Sequence, residues 1–266
     1  MRSSWRLPWP LAIPAAIGLL FLVLPAIGLV VGTPWTRLIE ILGTPTVADA
    51  MRLSLICASA ATLISIVLGV PLAWLLAKAR FRGRGLIRAL VTVPLVMPPV
   101  VGGVALLLVF GRNGFIGRLL DDAFGVSLPF TTLGVIMAET FVAMPFLVVT
   151  VEGALRGLDN RFDAAAATLG ASRWYTFRRV TLPLIWPGVL AGSVLAWARA
   201  LGEFGATITF AGNFPGTTQT MPLAVYLAME NDPEAAIVLA LLLLLVSVAI
   251  LAVLGDRWTR RVNANA

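Results

Sequence analysis

Six stretches of about 20 continuous apolar residues, each long enough to cross a hydrocarbon core, divide this chain. They fall near Leu11–Gly32, Leu53–Ala77, Leu86–Phe110, Leu128–Val151, Leu184–Phe210 and Ala235–Leu254. In lipid every backbone amide must be satisfied within its own segment, so a chain built from such stretches is predicted to be an all-α, polytopic membrane protein. The first stretch follows Arg2 and Arg6, as a signal peptide would, but its apolar run is longer than a signal core and contains Pro14 and Pro25. It is read as a retained first helix, and residues 1–266 as a single transmembrane domain of about six helices.

The charges then sort by side. Charged residues make up only 12% of the chain and the mean hydropathy is +0.94, which excludes an ordinary water-soluble domain. With six spans both termini share a face, and 15 of the 20 lysines and arginines lie on it: at the N-terminus, after the second and fourth spans, and in the tail. Arg37, Arg52, Arg112 and Arg118 sit on the opposite face, where Glu230, Asp232 and Glu234 also gather before the last helix. By the positive-inside rule both termini are predicted to be cytoplasmic, in a cell (inner) membrane. The net charge of +7 is therefore a topology signal and not a nucleic-acid footprint.

Small residues mark where helices should meet, because close backbone approach replaces the hydrophobic drive inside lipid. Gly188, Gly192, Ala196 and Ala200 form one stripe; Ala58, Thr62, Ser65 and Gly69 form another. Both are expected to be buried against neighbouring helices, and Cys57, the only cysteine, reads as a small core residue.

Histidine is absent, no close-set carboxylates lie at membrane depth, and the single lysine, Lys78, stands in Ala-Lys-Ala rather than in a phosphate-binding loop. No catalytic constellation, metal site or cofactor site is read, so energy must come from an ion gradient or from another subunit. A secondary transporter would carry inverted repeats and a broken helix pair at the midplane, and neither is legible.

The longest connection on the basic face, about 152–182, contains Asp163-Ala164-Ala165-Ala166-Ala167-Thr168-Leu169-Gly170-Ala171, then Val180-Thr181-Leu182-Pro183. Alanine favours a helix over 160–169 and Gly170 is placed to end it. By physics alone this helix either links two spans or offers its small face to a partner. An acid, an alanine pair, Leu-Gly, nine residues and Val-Thr-Leu-Pro resembles the coupling loop of ABC importer permeases. One departure stands out: Ala164 occupies the usual glutamate position and the acid, Asp163, comes one residue earlier.

The resemblance continues through Arg199-Ala200-Leu201-Gly202-Glu203-Phe204-Gly205-Ala206-Thr207, through 211–224 and through Met97-Pro98-Pro99-Val100-Val101-Gly102-Gly103, and there it is similar to the molybdate permeases in particular. Sulfate permeases are similar up to Gly205 and diverge after it. The resemblance implies the type I ABC importer permease fold, a homodimer with the oxyanion pathway between protomers, two ATP-binding subunits docked below, and an extracytoplasmic molybdate-binding protein above. Tungstate is an expected second substrate, and sulfate or thiosulfate the alternative. The resemblance also assigns Asp163, Ala165, Ala166, Leu169, Gly170 and Ala171 to coupling with the ATPase.

Arg199 and Glu203, four apart, would share one helix face about 60° from the small-residue stripe, and a pair offsets part of the ~2.5–3.5 kcal/mol that an intramembrane charge costs. A pathway gate and a structural clamp both fit. Thr207, Thr209 and the hydroxyls and amides up to Thr220 are neutral donors suited to passing an oxyanion. Glu139, with no sequence partner, is expected in a solvated position near the outer end of the fourth span.

Overall fold

The computed structural model describes residues 9–79, 81–159 and 161–264. Arg2, Arg6, Arg80 and Asn160 lie outside the described residues, as do the side chains of Arg257, Arg260 and Arg261. In chain order the helices are α1 (Trp9–Val31), α2 (Leu38–Leu42), α3 (Pro45–Lys78), α4 (Arg84–Val96), α5 (Pro99–Phe110), α6 (Phe115–Phe124) and α7 (Thr132–Arg156). They continue as α8 (Arg161–Thr168), α9 (Arg173–Thr176), α10 (Leu182–Leu201), α11 (Gly205–Ala211), α12 (Met221–Asn231) and α13 (Pro233–Ala264). A π-helical turn, Phe177–Thr181, joins α9 to α10, so that helix runs on from Arg173 to Leu201.

The core is a three-helix packing of α3, α7 and α10, and it forms where the small-residue stripes come together. Ala58, Ala61, Ser65, Ala196 and Ala200 are fully buried. A Cβ on Gly69 would stand 2.9 Å from a Leu147 methyl, and one on Gly188 would stand 2.5 Å from the Ala154 Cβ. Leu147, Val151, Leu155, Ile185 and Leu201 fill the rest of this cluster. Cys57 is buried, as its surroundings required. By contrast no residue of α1 is buried in the chain, which fits a helix whose other faces meet lipid or protein.

Ion pairs tie the connections on each face to one another. Arg37, between α1 and α2, reaches Asp232 at 2.9 Å and Glu234 at 2.6 Å, just ahead of the last span. On the opposite face Lys78 at the end of α3 meets Asp163 of α8 at 2.8 Å, and Arg88 of α4 meets Glu152 of α7 at 2.6 Å. This alternation is the one six crossings require.

Three features depart from the linear reading. The third apolar stretch is not one helix: α4 and α5 meet at 119°. Met97 precedes Pro98 and Pro98 precedes Pro99, and a residue before proline is driven out of the α region, so two successive positions reject the helix. Pro98 accordingly adopts φ −53°, ψ 132°. The fifth stretch also breaks, after Leu201, and helix resumes at Gly205. Broken spans are therefore present where none was expected. Third, 152–182 is not loop throughout, because α7 continues to Arg156 and helix restarts at Arg173.

Candidate functional site

The two breaks meet inside the molecule. Past its proline corner α5 carries Gly102 and Gly103, and past its own break α11 begins with Gly205. A Cβ on Gly103 would lie 2.6 Å from the Thr209 Cβ and 2.9 Å from the Ala206 carbonyl oxygen. One on Gly205 would lie 2.9 Å from the Pro99 Cβ. The second halves of both broken spans thus pack backbone to backbone, a contact that only glycine permits.

Glu203 holds the second break open. Helix α10 ends at Leu201, so Glu203 does not lie on a continuous helix beside Arg199, as the four-residue spacing had suggested; it stands between two helices. Its Oε1 accepts from the Ala206 N–H at 2.7 Å, capping α11, while Oε2 pairs with Arg199 Nη2 at 2.5 Å. The glutamate is 1% exposed; the arginine side chain keeps 26% of its surface. One carboxylate therefore accepts a hydrogen bond from a helix N-terminus through Oε1 and stands at ion-pair distance from a cation through Oε2, at a point where the backbone ladder is interrupted.

Unpaired polar atoms cluster around it. Ala138 and Val142 of α7 share a hydrophobic cluster with Ala206 and Phe210, and Val135 shares one with Cys57 and Ala211. One turn along from Val135 is Glu139, and one turn back from Ala211 is Thr207. Both are buried, Glu139 to 1% exposure, and Glu139 Oε2 and Thr207 Oγ1 have no hydrogen-bond partner among the described residues. The solvated outer position expected for Glu139 is thus overturned: α7 starts seven residues earlier, at Thr132, and the packing of α11 covers it. Thr209, half-buried, donates to the Gly205 carbonyl and lies against Gly103.

The hydroxyl-rich segment beyond α11 is ordered. Thr218 Oγ1 accepts from Phe214 N–H at 2.9 Å, and Thr132 Oγ1 donates to the Thr217 carbonyl at 2.9 Å. Thr220 and Gln219 are buried with Oγ1 and Oε1 unpaired. At its end Met221 N–H donates to Ser54 Oγ at 2.7 Å, anchoring α12 to α3.

On the basic face α8 stands clear of the bundle. Ala166 is its one buried residue, turned against the protein, while Ala165 is exposed and Leu169 is 87% exposed. Gly170 takes φ +74°, with Ala171 N–H bonded to the Ala166 carbonyl and Gly170 N–H to that of Ala167, the paired bonds of a left-handed C-cap. Leu169, Phe162 and Tyr175 leave an apolar groove open beside it.

The family model described as binding-protein-dependent transport system inner membrane component matches residues 65–263. The chain belongs to this family. Among curated relatives, the molybdenum transport system permease protein ModB of Mycobacterium tuberculosis is 48% identical over 255 residues, covering 96% of each chain. Its counterpart in Escherichia coli is 42% identical, covering 81% of this chain and 94% of its own. The sulfate transport system permease protein CysT of Escherichia coli is 36% identical, covering 91% of this chain and 90% of its own. A bacterial ABC transporter that imports alginate superposes with a TM-score of 0.78 over 95% of this chain and 94% of that one. At 18% identity that likeness establishes the fold, which is the type I ABC importer permease fold.

Within this permease the residues singled out from sequence separate into two places. Arg199, Glu203, Thr207 and Thr209 come together at the second break. Asp163, Ala165, Ala166, Leu169, Gly170 and Ala171 form α8 and its cap. Sequence reasoning missed Ser54, which carries no signal in an apolar run, and misplaced Glu139, where an ionisable residue inside a span was the available signal.

Proposed function

We propose that this chain is the membrane subunit of an ATP-driven importer of molybdate, and of tungstate, working as a homodimer with two ATP-binding subunits and an extracytoplasmic binding protein. The observation that carries the substrate is the order of likeness: relatives named for molybdenum are 41–48% identical, those named for sulfate 36%. Both termini lie in the cytoplasm in this reading, supported by the sorting of basic residues.

The geometry suits such a role. Exposed Ala165 and Leu169, with the cap at Gly170 and Ala171, present a small apolar face for a cleft in the ATPase. The break at Glu203 provides a point where α10 and α11 can change angle, and Arg199 is the cation a passing oxyanion would meet. The hydroxyls of Thr207 and Thr220 are donors with no partner among the described residues, suited to an anion that must be held briefly. Recognition of the ion falls mainly to the binding protein. No group in the chain is assigned a hydrolytic role; hydrolysis belongs to the ATP-binding subunits.

Reconstitution in liposomes with those subunits and the binding protein tests this reading. Molybdate uptake that requires ATP and survives excess sulfate is expected. Competition by sulfate at equal concentration would move the substrate to sulfate. Uptake by this chain alone, driven by an ion gradient, would replace the whole reading with that of a secondary transporter.

A further inference from the structure

We infer that the Lys78–Asp163 ion pair is the tie through which α8 moves α3, making both residues positioning residues for transport; this rests on the reading of α8 as the helix that meets the ATPase. Lys78 is the last residue of α3 and Asp163 lies in the first turn of α8. Each charge therefore sits at the helix end whose dipole favours it, and the two close at 2.8 Å with the lysine side chain only 18% exposed. The pair lies on an open cleft also lined by Trp74, Ala171, Arg173 and Thr181.

The placement of the acid is what makes this contact. Successive residues on a helix are turned by about 100°, so moving an acid back by one position re-aims it. Position 164 faces solvent and holds alanine; Asp163 is half-buried and turned toward Lys78 of α3. The charge that could have met a partner is engaged within the chain.

The inner end of α3 is fastened on its other sides too. Arg84 and Arg88 donate to the Ala77 and Leu76 carbonyls at 3.3 and 3.4 Å, satisfying acceptors that a helix C-terminus leaves open. Arg88 also grips Glu152 of α7, which Arg156 approaches at 2.7 Å. About 36 Å away along the same helix, Ser54 caps α12 after the hydroxyl-rich segment. A pull on Lys78 is thus delivered along α3, past Pro71 inside it, toward the opposite face, and on the way this helix packs through Ala58 and Ala61 in one cluster with Ala196 and Ala200 of α10.

The test uses the whole importer in proteoliposomes, with molybdate uptake per ATP hydrolysed as the readout and co-purification of the ATPase as the check on assembly. Lys78→Ala and Asp163→Ala are each expected to assemble normally and to lower the ratio by about threefold or more, the range of coupling energies carried by single links. Lys78→Arg is expected to keep the ratio, and Lys78→Asp combined with Asp163→Lys to restore it. An unchanged ratio in both alanine variants would overturn the tie. So would loss of the ATPase from Asp163→Ala but not from Lys78→Ala, which would place the aspartate on the docking face. Gly170→Ile separates the underlying reading, since a branched residue cannot take the left-handed cap. Normal assembly and transport in that variant would make α8 a mere linker.

Discussion

The two interrupted spans are broken by different chemistry. Between α4 and α5 the backbone is turned by Pro98 and Pro99, whose restriction is covalent and present in every state of the protein. Between α10 and α11 there is no proline; the interruption is held by a glutamate that caps one helix and pairs with an arginine on the other. The first is a fixed corner. The second rests on non-covalent partners, which in the proposed reading makes it a latch, and the glycine contact of α5 with α11 joins it to the corner.

The largest effect is expected where the two meet. Gly103→Val places methyl groups where even a Cβ would be 2.6 Å from Thr209 Cβ, against backbone that cannot yield. Overpacking of this kind costs about 1–3 kcal/mol or more, so folded protein recovered from membranes should fall sharply, as size-exclusion chromatography would show. Normal yield would mean that the second halves are not held together by this contact.

Next in size are the charges of the latch. Glu203→Gln keeps an acceptor for the Ala206 N–H but loses the ionic partner of Arg199, so normal insertion with ATP hydrolysis uncoupled from uptake is expected. Arg199→Ala should lower uptake at similar expression. Equal loss of folded protein in both, recovered together with transport in the double variant, would make the pair a structural clamp rather than a latch.

How much of this contrast was legible in the sequence depends on which residues report their own conformation. The helix 161–168 and its glycine cap were readable because alanine and a C-terminal glycine act locally. The small-residue stripes were readable because they repeat with the helix. The corner at Pro98-Pro99 was obscured by unbroken hydropathy on both sides, and single prolines are no guide, since α3, α7 and α10 each run through one; it is the succession of two that breaks the helix. The break at Glu203 leaves no local signature, since Gly202 and a capping carboxylate become meaningful only when α5 arrives to pack on α11. Glu139 was misplaced for the same reason: its burial is conferred by α11, a neighbour distant in sequence.

A smaller effect is expected at the proline corner. Pro98→Ala leaves position 98 ahead of Pro99 and still barred from the helix, so uptake should stay near that of the parent protein. Replacing both prolines should be needed to straighten the span. A loss from Pro98→Ala as large as that from Glu203→Gln would mean that the corner too must move.

The smallest effect belongs to the Arg37 tie, on the face opposite α8. Its direct hydrogen bond with Arg37, aided by the Ala235 N–H, holds the Asp232 carboxyl below its ordinary range. A lowered carboxyl contributes stability above its ordinary value and loses it only as pH falls through the lowered one. Melting of the solubilised protein between pH 7 and 5 should therefore show no change attributable to this tie, while Asp232→Asn should lower it slightly at either pH. A loss of the tie already at pH 5 would contradict that sign.

Hydrogen exchange across the two breaks, measured on the importer with its ATPase idle and then trapped closed, tests the distinction most directly. Peptides covering Glu203–Ala206 are expected to change protection on trapping, because the Ala206 N–H depends on the Glu203 carboxylate, whereas those covering Met97–Val100 are expected to stay constant. Equal change at both breaks, or change confined to the proline corner, would contradict the assignment of the movable element to Glu203.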